Sequence, residues 1–257
     1  MRTTVILNMK GGVAKTTTVV NMAALLAQKH GKRVFVIDAD SQCNTTEFFG
    51  GDSADGSLAD TLRAKEDGLK VAVQSIQRTA FSNIDLLPGD PSLMDLDLTK
   101  VEANGVRPTV LRELIQYLEK ENAYDYCLVD CPPAFNAASA AALIAADDVI
   151  IPIKLDAFSL RGMTCLLRQI SNMRKINPKL RLAGCLPTMW YRSPNVQQAE
   201  DTLRASKLPV FPHIRRSDKV DDMTFAQDPL LITSPRSAAA VDYNRFVQKY
   251  VNGGFRK

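Results

Sequence analysis

Residues 5–18, Val-Ile-Leu-Asn-Met-Lys-Gly-Gly-Val-Ala-Lys-Thr-Thr-Thr, place an apolar strand, a Gly-Gly turn and a Lys-Thr pair directly before an amphipathic helix. The first turn of a helix carries backbone N–H groups that have no acceptor inside the helix, and they lie at the positive end of the helix dipole. A glycine turn that leads into such a helix is therefore a ready site for an anion. This stretch predicts a strand-to-helix unit of an α/β fold with an anion site at its turn.

The Lys-Thr pair makes the expected anion more specific. Lys15 can reach the outer phosphates of a nucleotide, and the Thr16 hydroxyl can bind Mg²⁺. The loop departs from the standard pattern G-x-x-x-x-G-K-[ST], which requires glycine at the positions of Met9 and Ala14. We expect alanine to be tolerated at residue 14 if its backbone is right-handed, because alanine is favoured over glycine there. Taken alone, the segment also fits a glycine-rich turn with a surface lysine.

The distribution of charge along the chain suggests a polyanionic partner. The 257 residues are 46% hydrophobic and 23% charged, which is ordinary for a globular protein. Residues 1–150 hold 14 Lys+Arg against 20 Asp+Glu, whereas residues 151–257 hold 18 against 8. The basic second half predicts a surface that faces a polyanion. Solvated helix faces are the simpler explanation.

Several classes of protein are disfavoured. Five cysteines form no Cys-x-x-Cys pair and there are two histidines, which argues against a disulfide framework and a structural zinc site. The N-terminus enters a strand without a signal peptide, and no apolar run approaches about 18 residues. We therefore expect a cytoplasmic protein without a membrane span.

Short β-branched runs alternate with helical stretches, which is typical of an α/β fold with a single doubly wound, mostly parallel sheet flanked by helices. The predicted strands are 3–8, 33–38, 84–88, 125–130, 148–153, 181–188 and 209–214. The predicted helices are 15–30, 57–65, 107–122, 136–146, 159–176, 195–206 and 236–252. The pattern weakens over 41–105, where we expect loops and short helices. Without a repeat or linker, residues 1–257 are predicted to form one domain.

Acidic residues end two of the predicted strands. Asp38 and Asp40 follow the second strand, and the carboxyl ends of parallel strands share a crevice with the phosphate loop. Both could approach a γ-phosphate, one through Mg²⁺ or Thr16 and the other through the attacking water. Asp130 ends strand 125–130 in the Walker B arrangement and is predicted to hold Mg²⁺ directly or through water. Phosphoryl transfer needs mainly positioning and charge neutralisation, so we assign Asp40 to orient and deprotonate the water.

Six segments together resemble the ParA-type partition ATPases, in the ParA/MinD group of P-loop ATPases with a deviant Walker A loop. They spread over nearly the whole chain, which makes the resemblance specific. The segments are Lys10-Gly-Gly-Val-Ala-Lys-Thr-Thr, Asp38-Ala-Asp-Ser-Gln-Cys-Asn44, Asp130-Cys-Pro-Pro, Val149-Ile-Ile-Pro-Ile, Leu186-Pro-Thr-Met189 and Ser234-Pro-Arg-Ser-Ala. The resemblance implies the P-loop NTPase fold, with ATP and Mg²⁺ as ligands.

The resemblance also implies a homodimer that sandwiches ATP. Lys10 matches the extra lysine of the deviant loop and would reach the phosphates of the opposite protomer, with Gly11 allowing the close approach. Hydrolysis would be slow and stimulated by a ParB-type partner, and it would drive segregation of a plasmid, chromosome or integrated element. The expected catalytic residues are Lys10, Lys15 and Asp40. The expected nucleotide-binding residues are Lys10, Gly11, Gly12, Val13, Ala14, Lys15, Thr16, Thr17 and Asp38.

The chain departs from the family pattern at several positions. Ala14 and Ser41 replace a usual glycine and proline, and residues 215–217, Arg-Arg-Ser, stand where Pro-Arg-Asn is usual. The last change puts the adenine contact of that asparagine in doubt. The phosphate loop starts near residue 9, so the N-terminal DNA-binding domain of larger members is expected to be absent.

Members of this size bind DNA without sequence specificity as ATP-bound dimers, which would place the protein on the nucleoid. Arg192, Arg215, Arg216 and Lys219 lie in the matching regions and are predicted to contact DNA phosphates.

Three other functions remain open at this point. A MinD-like membrane-associated ATPase would need an amphipathic tail, but Gly253 and Gly254 end the last helix before the basic tail, so no membrane partner is expected. An electron-transfer ATPase would need two suitable cysteines, and Cys131 has no evident partner. A nucleotide-binding scaffold without turnover is the third.

Overall fold

The computed structural model describes residues 1–96 and 106–253, and the side chains of these residues except 157–161. Its strands are β1 (Arg2–Ile6), β2 (Val34–Asp38), β3 (Gln77–Arg78), β4 (Ile84–Leu87), β5 (Tyr126–Asp130), β6 (Asp148–Lys154) and β7 (Arg181–Thr188). Its helices are α1 (Lys15–His30), α2 (Asn44–Phe48), α3 (Leu58–Arg63), α4 (Gly68–Gln74), α5 (Val110–Lys120), α6 (Ala137–Ala145), α7 (Ala157–Met173), α8 (Pro194–Ala205), α9 (Lys219–Ala226), α10 (Leu230–Thr233) and α11 (Ala238–Val251).

The strands form one sheet in the order β3-β4-β2-β5-β1-β6-β7. Only β3 runs antiparallel within it; the other pairings are parallel. β5 lies between β1 and β2, with Asp130 in register with both Ile6 and Asp38. The chain therefore leaves these three neighbouring strands at the same edge of the sheet, and their following loops meet there.

Helices cover both faces of the sheet, which confirms the predicted doubly wound fold. Val5 and Leu7 pack with α5, α6 and α7 on one face, whereas Ile6 packs with α1 and α11 on the other. All three side chains are fully buried. A strand that is covered on both faces favours apolar residues at successive positions, which is why Val5, Ile6 and Leu7 form an apolar run where β1 ends.

Most predicted elements are confirmed, and the differences have local causes. Segment 209–214 is not a strand: Val210 forms an isolated bridge with Cys185, and Arg215, just after the segment, forms one with Trp190, because Pro209 and Pro212 have no N–H for a ladder. The short strand β3 and the short helices α2, α4, α9 and α10 were not individually predicted, since they are too brief to show a period. Within 41–105, residues 97–105 lie outside the described part of the chain, as does the basic tail at 256–257.

The turn between β1 and α1 does not meet the condition under which alanine is expected to be tolerated at residue 14, which is a right-handed backbone. Ala14, the N-cap of α1, has φ 65° and ψ 39°, so its backbone is left-handed. Its carbonyl accepts hydrogen bonds from the Thr18 N–H (3.0 Å) and the Thr18 hydroxyl (2.7 Å), which fixes the start of the helix. A left-handed backbone brings Cβ against the following carbonyl at a cost of roughly 1–2 kcal/mol. Residue 14 is therefore a strained position that glycine would relieve.

We expect Ala14→Gly to stabilise the nucleotide-free protein by up to about 1 kcal/mol, because relief of the left-handed strain exceeds the added entropy of the unfolded chain. Urea unfolding measures this change. Ala27, buried in the right-handed interior of α1, provides the matched control. Ala27→Gly should destabilise by about 1 kcal/mol. Equal destabilisation by both variants would contradict the strain at residue 14.

Candidate functional site

The loop between β1 and α1 forms a cationic cradle. Ala14 offers no side-chain cap, and the first-turn N–H groups of α1 have no acceptor within the helix. Lys15 begins the helix with its side chain largely buried at 8% exposure. The Thr188 hydroxyl, at the end of β7, donates to the Val13 carbonyl at 3.1 Å and holds the loop against the sheet. Backbone donors and a lysine therefore converge on one place, as an anion site requires.

Asp130, at the end of β5, has two differently occupied oxygens. Its Oδ2 accepts hydrogen bonds from the hydroxyls of Thr16 (2.6 Å) and Thr45 (2.7 Å). Its Oδ1 is buried and has no hydrogen-bond donor among the described residues. An acceptor that is buried without a partner is costly and indicates a missing donor or cation. Asp130 therefore presents one free, fully desolvated carboxylate oxygen beside the first turn of α1.

Asp38, at the end of β2, uses both oxygens within the chain. Its Oδ2 accepts hydrogen bonds from the Thr46 N–H and the Thr46 hydroxyl, both at 2.8 Å, and its Oδ1 accepts one from the Asp40 N–H at 3.1 Å. The Gly89 N–H donates to the Thr46 hydroxyl at 2.8 Å. A Cβ on Gly89 would lie 3.1 Å from Asp38 Cγ, so glycine permits this close approach. From the sequence, Asp38 could approach a γ-phosphate through Mg²⁺ or through Thr16. In the structure the Thr16 hydroxyl donates to Asp130 and not to Asp38.

The two buried carboxylates oppose each other's ionisation. Burial, followed by the charge on Asp130, raises the pKa of Asp38. Burial also raises the pKa of Asp130, although the hydrogen bonds from Thr16 and Thr45 and the charge of Lys15 act in the opposite direction. A carboxylate without its full set of partners favours protonation or a bound cation. Among the described residues, no three His, Cys, Asp or Glu side chains are arranged so that they could together hold a metal ion, so a cation here would take few ligands from the protein.

Asp40 lies in the loop after β2 and is 8% exposed. Its Oδ1 accepts a hydrogen bond from the Gln42 N–H at 3.1 Å, and its carbonyl accepts one from the Cys43 N–H at 3.0 Å. The negative charge of Asp40 contributes to the raised pKa of Asp130, so the two carboxylates lie within electrostatic range. The structure thus brings the three predicted aspartates together at one edge of the sheet.

Lys10 forms an ion pair with an acid in the loop after β6. Its Nζ lies 2.7 and 2.9 Å from the carboxylate oxygens of Asp156. Its N–H donates to Asn8 Oδ1 at 3.0 Å, and Asn8 in turn donates to the Pro152 carbonyl at 2.7 Å. The ion pair is partly exposed, with 37% of the Lys10 side chain accessible. In the single chain Lys10 therefore stabilises the path of the loop.

The two loop glycines differ in what they require. Gly12 has φ 66° and needs the conformational freedom of glycine. Gly11 does not have a positive φ, and a Cβ there would meet no described atom within 4 Å. The single chain thus gives no steric reason for glycine at residue 11.

Two of the four cations predicted to contact DNA are paired with acids. Arg215 donates from Nε and Nη2 to the two oxygens of Asp242, at 2.7 and 2.9 Å, and these bonds raise its pKa. Lys219 lies 2.8 Å from Asp222, which raises its pKa as well. Arg215 therefore links its loop to α11, and part of its charge is neutralised.

Arg192 and Arg216 are exposed, and neither has a carboxylate partner within the part of the chain that the structure describes. Their loops are joined because the Trp190 N–H donates to the Ile214 carbonyl (2.9 Å) and the Arg216 N–H donates to the Trp190 carbonyl (2.8 Å). These two arginines form the free part of the predicted cationic surface.

Four further residues belong to the site but are not revealed by the sequence pattern. Thr45 and Thr46 follow the segment Asp38–Asn44 that carries the paired aspartates, and this nearness in sequence is the one signal that points to them. Gly89 lies in a Pro-Gly-Asp-Pro run that indicates only a turn. No sequence pattern points to Asp156, because its partner Lys10 lies 146 positions away in the chain.

A family model described as "AAA domain" matches residues 1–182, more than half of the chain. Over the described residues, the structure shows no helix with the length and apolar character of a membrane span. The chain is 31% identical to the chromosome partitioning protein ParA of Caulobacter vibrioides (strain NA1000 / CB15N), covering 98% of this chain and 94% of that protein. It is 34% identical to the sporulation initiation inhibitor protein Soj of Bacillus subtilis (strain 168), covering 93% of each.

A solved structure agrees with this relationship. Cobyrinic acid a,c-diamide synthase from Mycobacterium smegmatis, with an ATP analogue and magnesium bound, is 29% identical and superposes with a TM-score of 0.81, covering 98% of this chain and 94% of that one. Sequence similarity extends along almost the full length of ParA and Soj. The turn between β1 and α1 and the aspartates at the ends of β2 and β5 indicate the same family. The chain belongs to the family of ParA-type partition ATPases.

Proposed function

We propose that the chain is a Mg²⁺-dependent ATPase that dimerises on ATP, binds DNA without sequence specificity and hydrolyses ATP to segregate a DNA cargo. The observation that carries the proposal is the unpartnered, buried Oδ1 of Asp130 beside the open first turn of α1. An anion site next to a cation site suits a metal-bound polyphosphate. The match to a synthase solved with an ATP analogue and magnesium supports this choice of ligand.

The phosphate loop binds the nucleotide through main-chain donors and Lys15. The N–H groups from Gly11 to Thr17 would donate to the phosphates, and the Lys15 ammonium would neutralise their charge. Thr16 and Asp130 would hold Mg²⁺, because one offers a hydroxyl and the other a desolvated carboxylate oxygen. When bound, Mg²⁺ would neutralise phosphate charge and polarise the phosphoryl group. Asp38 acts indirectly, since its oxygens already hold the Asp40 and Thr46 loop in place.

Asp40 orients the attacking water and accepts its proton. Its side chain is held by the Gln42 N–H and lies near the charge of Asp130, so it faces the same crevice. A carboxylate at this position contributes mainly to the transition state and little to ground-state binding.

We expect Asp40→Ala to retain ATP binding and to lower single-turnover hydrolysis by about 100-fold or more, since it removes the proton acceptor. Asp55, an exposed aspartate in the loop between α2 and α3, provides a charge-matched control, and Asp55→Ala should hydrolyse ATP normally. Quenched-flow hydrolysis and equilibrium binding separate the two effects. Normal turnover by Asp40→Ala would rule out this role.

Dimerisation would use Lys10 and Gly11. Lys10 can leave Asp156 at a small cost of about 0.2–1 kcal/mol, because the pair is partly exposed. A lysine from each protomer then offsets the phosphate charge of the other, so that ATP favours the dimer. No contact within the described part of the chain requires glycine at residue 11. This supports a close approach by a second chain at that place.

Lys10→Ala should bind ATP as a monomer and fail to dimerise, and Gly11→Val should do the same while unfolding at the wild-type urea midpoint. Sedimentation velocity with ATP in an Asp40→Ala background gives the oligomeric state without hydrolysis. Lys29→Ala, at the far end of α1, is the control and should dimerise like the parent. An ATP-dependent dimer of Lys10→Ala would contradict the proposal that Lys10 of each protomer offsets the phosphate charge of the other.

DNA binding would rest mainly on the exposed arginines at residues 192 and 216. Two-fold symmetry doubles their number in the dimer, and each contact with a DNA phosphate adds a salt-dependent term to affinity. Arg215 contributes less free charge because Asp242 holds its guanidinium. A ParB-type protein is the expected activator of hydrolysis, by analogy with the partition function of the relatives.

We expect the ATP-bound dimer to bind random-sequence DNA and to lose affinity steeply between 50 and 200 mM salt, by about 10-fold or more. Arg192→Ala with Arg216→Ala should weaken binding and reduce the slope of log K against log salt by about 0.9 per lost phosphate contact. Lys120→Ala, at the end of α5, removes one charge and is the charge-matched control for either arginine variant taken singly. Absent or salt-independent binding with ATP would refute the DNA-binding part of the proposal.

A further inference from the structure

Helix α2 begins with two threonines that bond to different aspartates. Thr45 donates from its hydroxyl to Asp130 Oδ2 at 2.7 Å, and Thr46 donates from its N–H and hydroxyl to Asp38 Oδ2. Thr45 is fully buried and Thr46 is 5% exposed. This short helix thus connects the ends of β5 and β2 through its first side chains.

The bond from Thr45 determines how Asp130 is presented. Thr45 and Thr16 both donate to Oδ2, and Oδ1 receives no hydrogen bond from the described residues. A carboxylate is planar, so two donors that hold one oxygen also determine where the other oxygen lies. Thr16 belongs to α1 and Thr45 to α2, so the carboxylate is held from two separate elements.

We propose that Thr45 is a positioning residue for the Mg²⁺ site, which holds the Asp130 carboxylate so that Oδ1 remains directed at the cation. The inference rests on the proposed function, because it assumes that Asp130 binds Mg²⁺. Hydrogen-bond partners of metal ligands orient the ligand, and their removal typically lowers metal affinity by about 10–100-fold.

The position of α2 extends the consequence to the catalytic loop. Cys43, the N-cap of α2, is two residues before Thr45 and donates from its N–H to the Asp40 carbonyl at 3.0 Å. Asp40 is therefore joined to the cation site through one turn of backbone. Thr45 thus links Asp130, the proposed Mg²⁺ ligand, to the segment that carries Asp40, the proposed water-orienting carboxylate.

The experiment titrates Mg²⁺ into the full chain with saturating ADP, which avoids hydrolysis, and follows binding by calorimetry. We expect Thr45→Val to raise the Mg²⁺ concentration at half-saturation by about 10–100-fold. Its affinity for ADP without Mg²⁺ should stay within about three-fold of wild type. Thr45→Ser, which keeps the hydroxyl, should restore Mg²⁺ affinity. In an Asp130→Asn background, Thr45→Val should cause no further loss.

Thr61 provides the matched control, because it is a fully buried helical threonine whose hydroxyl donates only to the Ser57 carbonyl. Thr61→Val should leave the Mg²⁺ midpoint unchanged. If Thr45→Val does not fold, Thr45→Ala tests the same loss of the hydroxyl with a smaller side chain.

The possible failures are distinguishable. Wild-type chain that binds ADP with no Mg²⁺ dependence overturns the proposed function and this inference together. Mg²⁺ binding that is lost in Asp130→Asn but unchanged in Thr45→Val overturns the inference alone. Equal losses with and without Mg²⁺, or no rescue by Thr45→Ser, would assign Thr45 a purely structural role and also overturn it.

Discussion

Two buried carboxylates lie in register on adjacent strands, and the arrangement of the site depends on their mutual repulsion. Asp38 ends β2 and Asp130 ends β5, and both are fully buried. Two negative charges so close in a low-dielectric interior destabilise each other unless donors or cations compensate them. The threonines of α1 and α2, the Gly89 turn and the phosphate loop are all placed where they reduce this cost.

The negative charges of Asp38 and Asp130 are compensated unequally, and this difference gives the two aspartates different roles. Asp38 accepts three hydrogen bonds from the chain and so holds the loop that carries Asp40. Asp130 receives two donors on one oxygen and none, within the described residues, on the other. A cation at the open oxygen would satisfy the buried charge, and the phosphates that accompany it would occupy the positive cradle of α1. Binding of such a ligand would therefore relieve the unfavourable electrostatics of the two buried carboxylates.

The same reasoning applies to the outer side of the phosphate loop. Lys10 forms a partly exposed ion pair with Asp156, and a Cβ on Gly11 would meet no atom of the described residues within 4 Å. A loop with a partly exposed lysine and with room beside its glycine is suited to meet a second chain. In the proposed dimer, polyphosphate charge beyond what one Lys15 can neutralise would favour binding of the second chain. ATP would then act both as substrate and as the link between protomers.

The sequence by itself determined the parallel sheet, the turn before α1 and the aspartates at strand ends, because strand and helix periodicity and glycine turns are local properties of the chain. It did not reveal that Thr45 and Thr46 bind different aspartates, that Gly89 encloses Asp38 or that Asp156 holds Lys10. Apart from the local bond between Thr46 and Asp38, those contacts join segments that are brought close by the strand order β4-β2-β5-β1-β6. The sequence also does not predict the left-handed backbone of Ala14, since alanine favours the right-handed form. Only the tertiary structure decided it, because the turn must join a central strand to a helix packed over the same sheet.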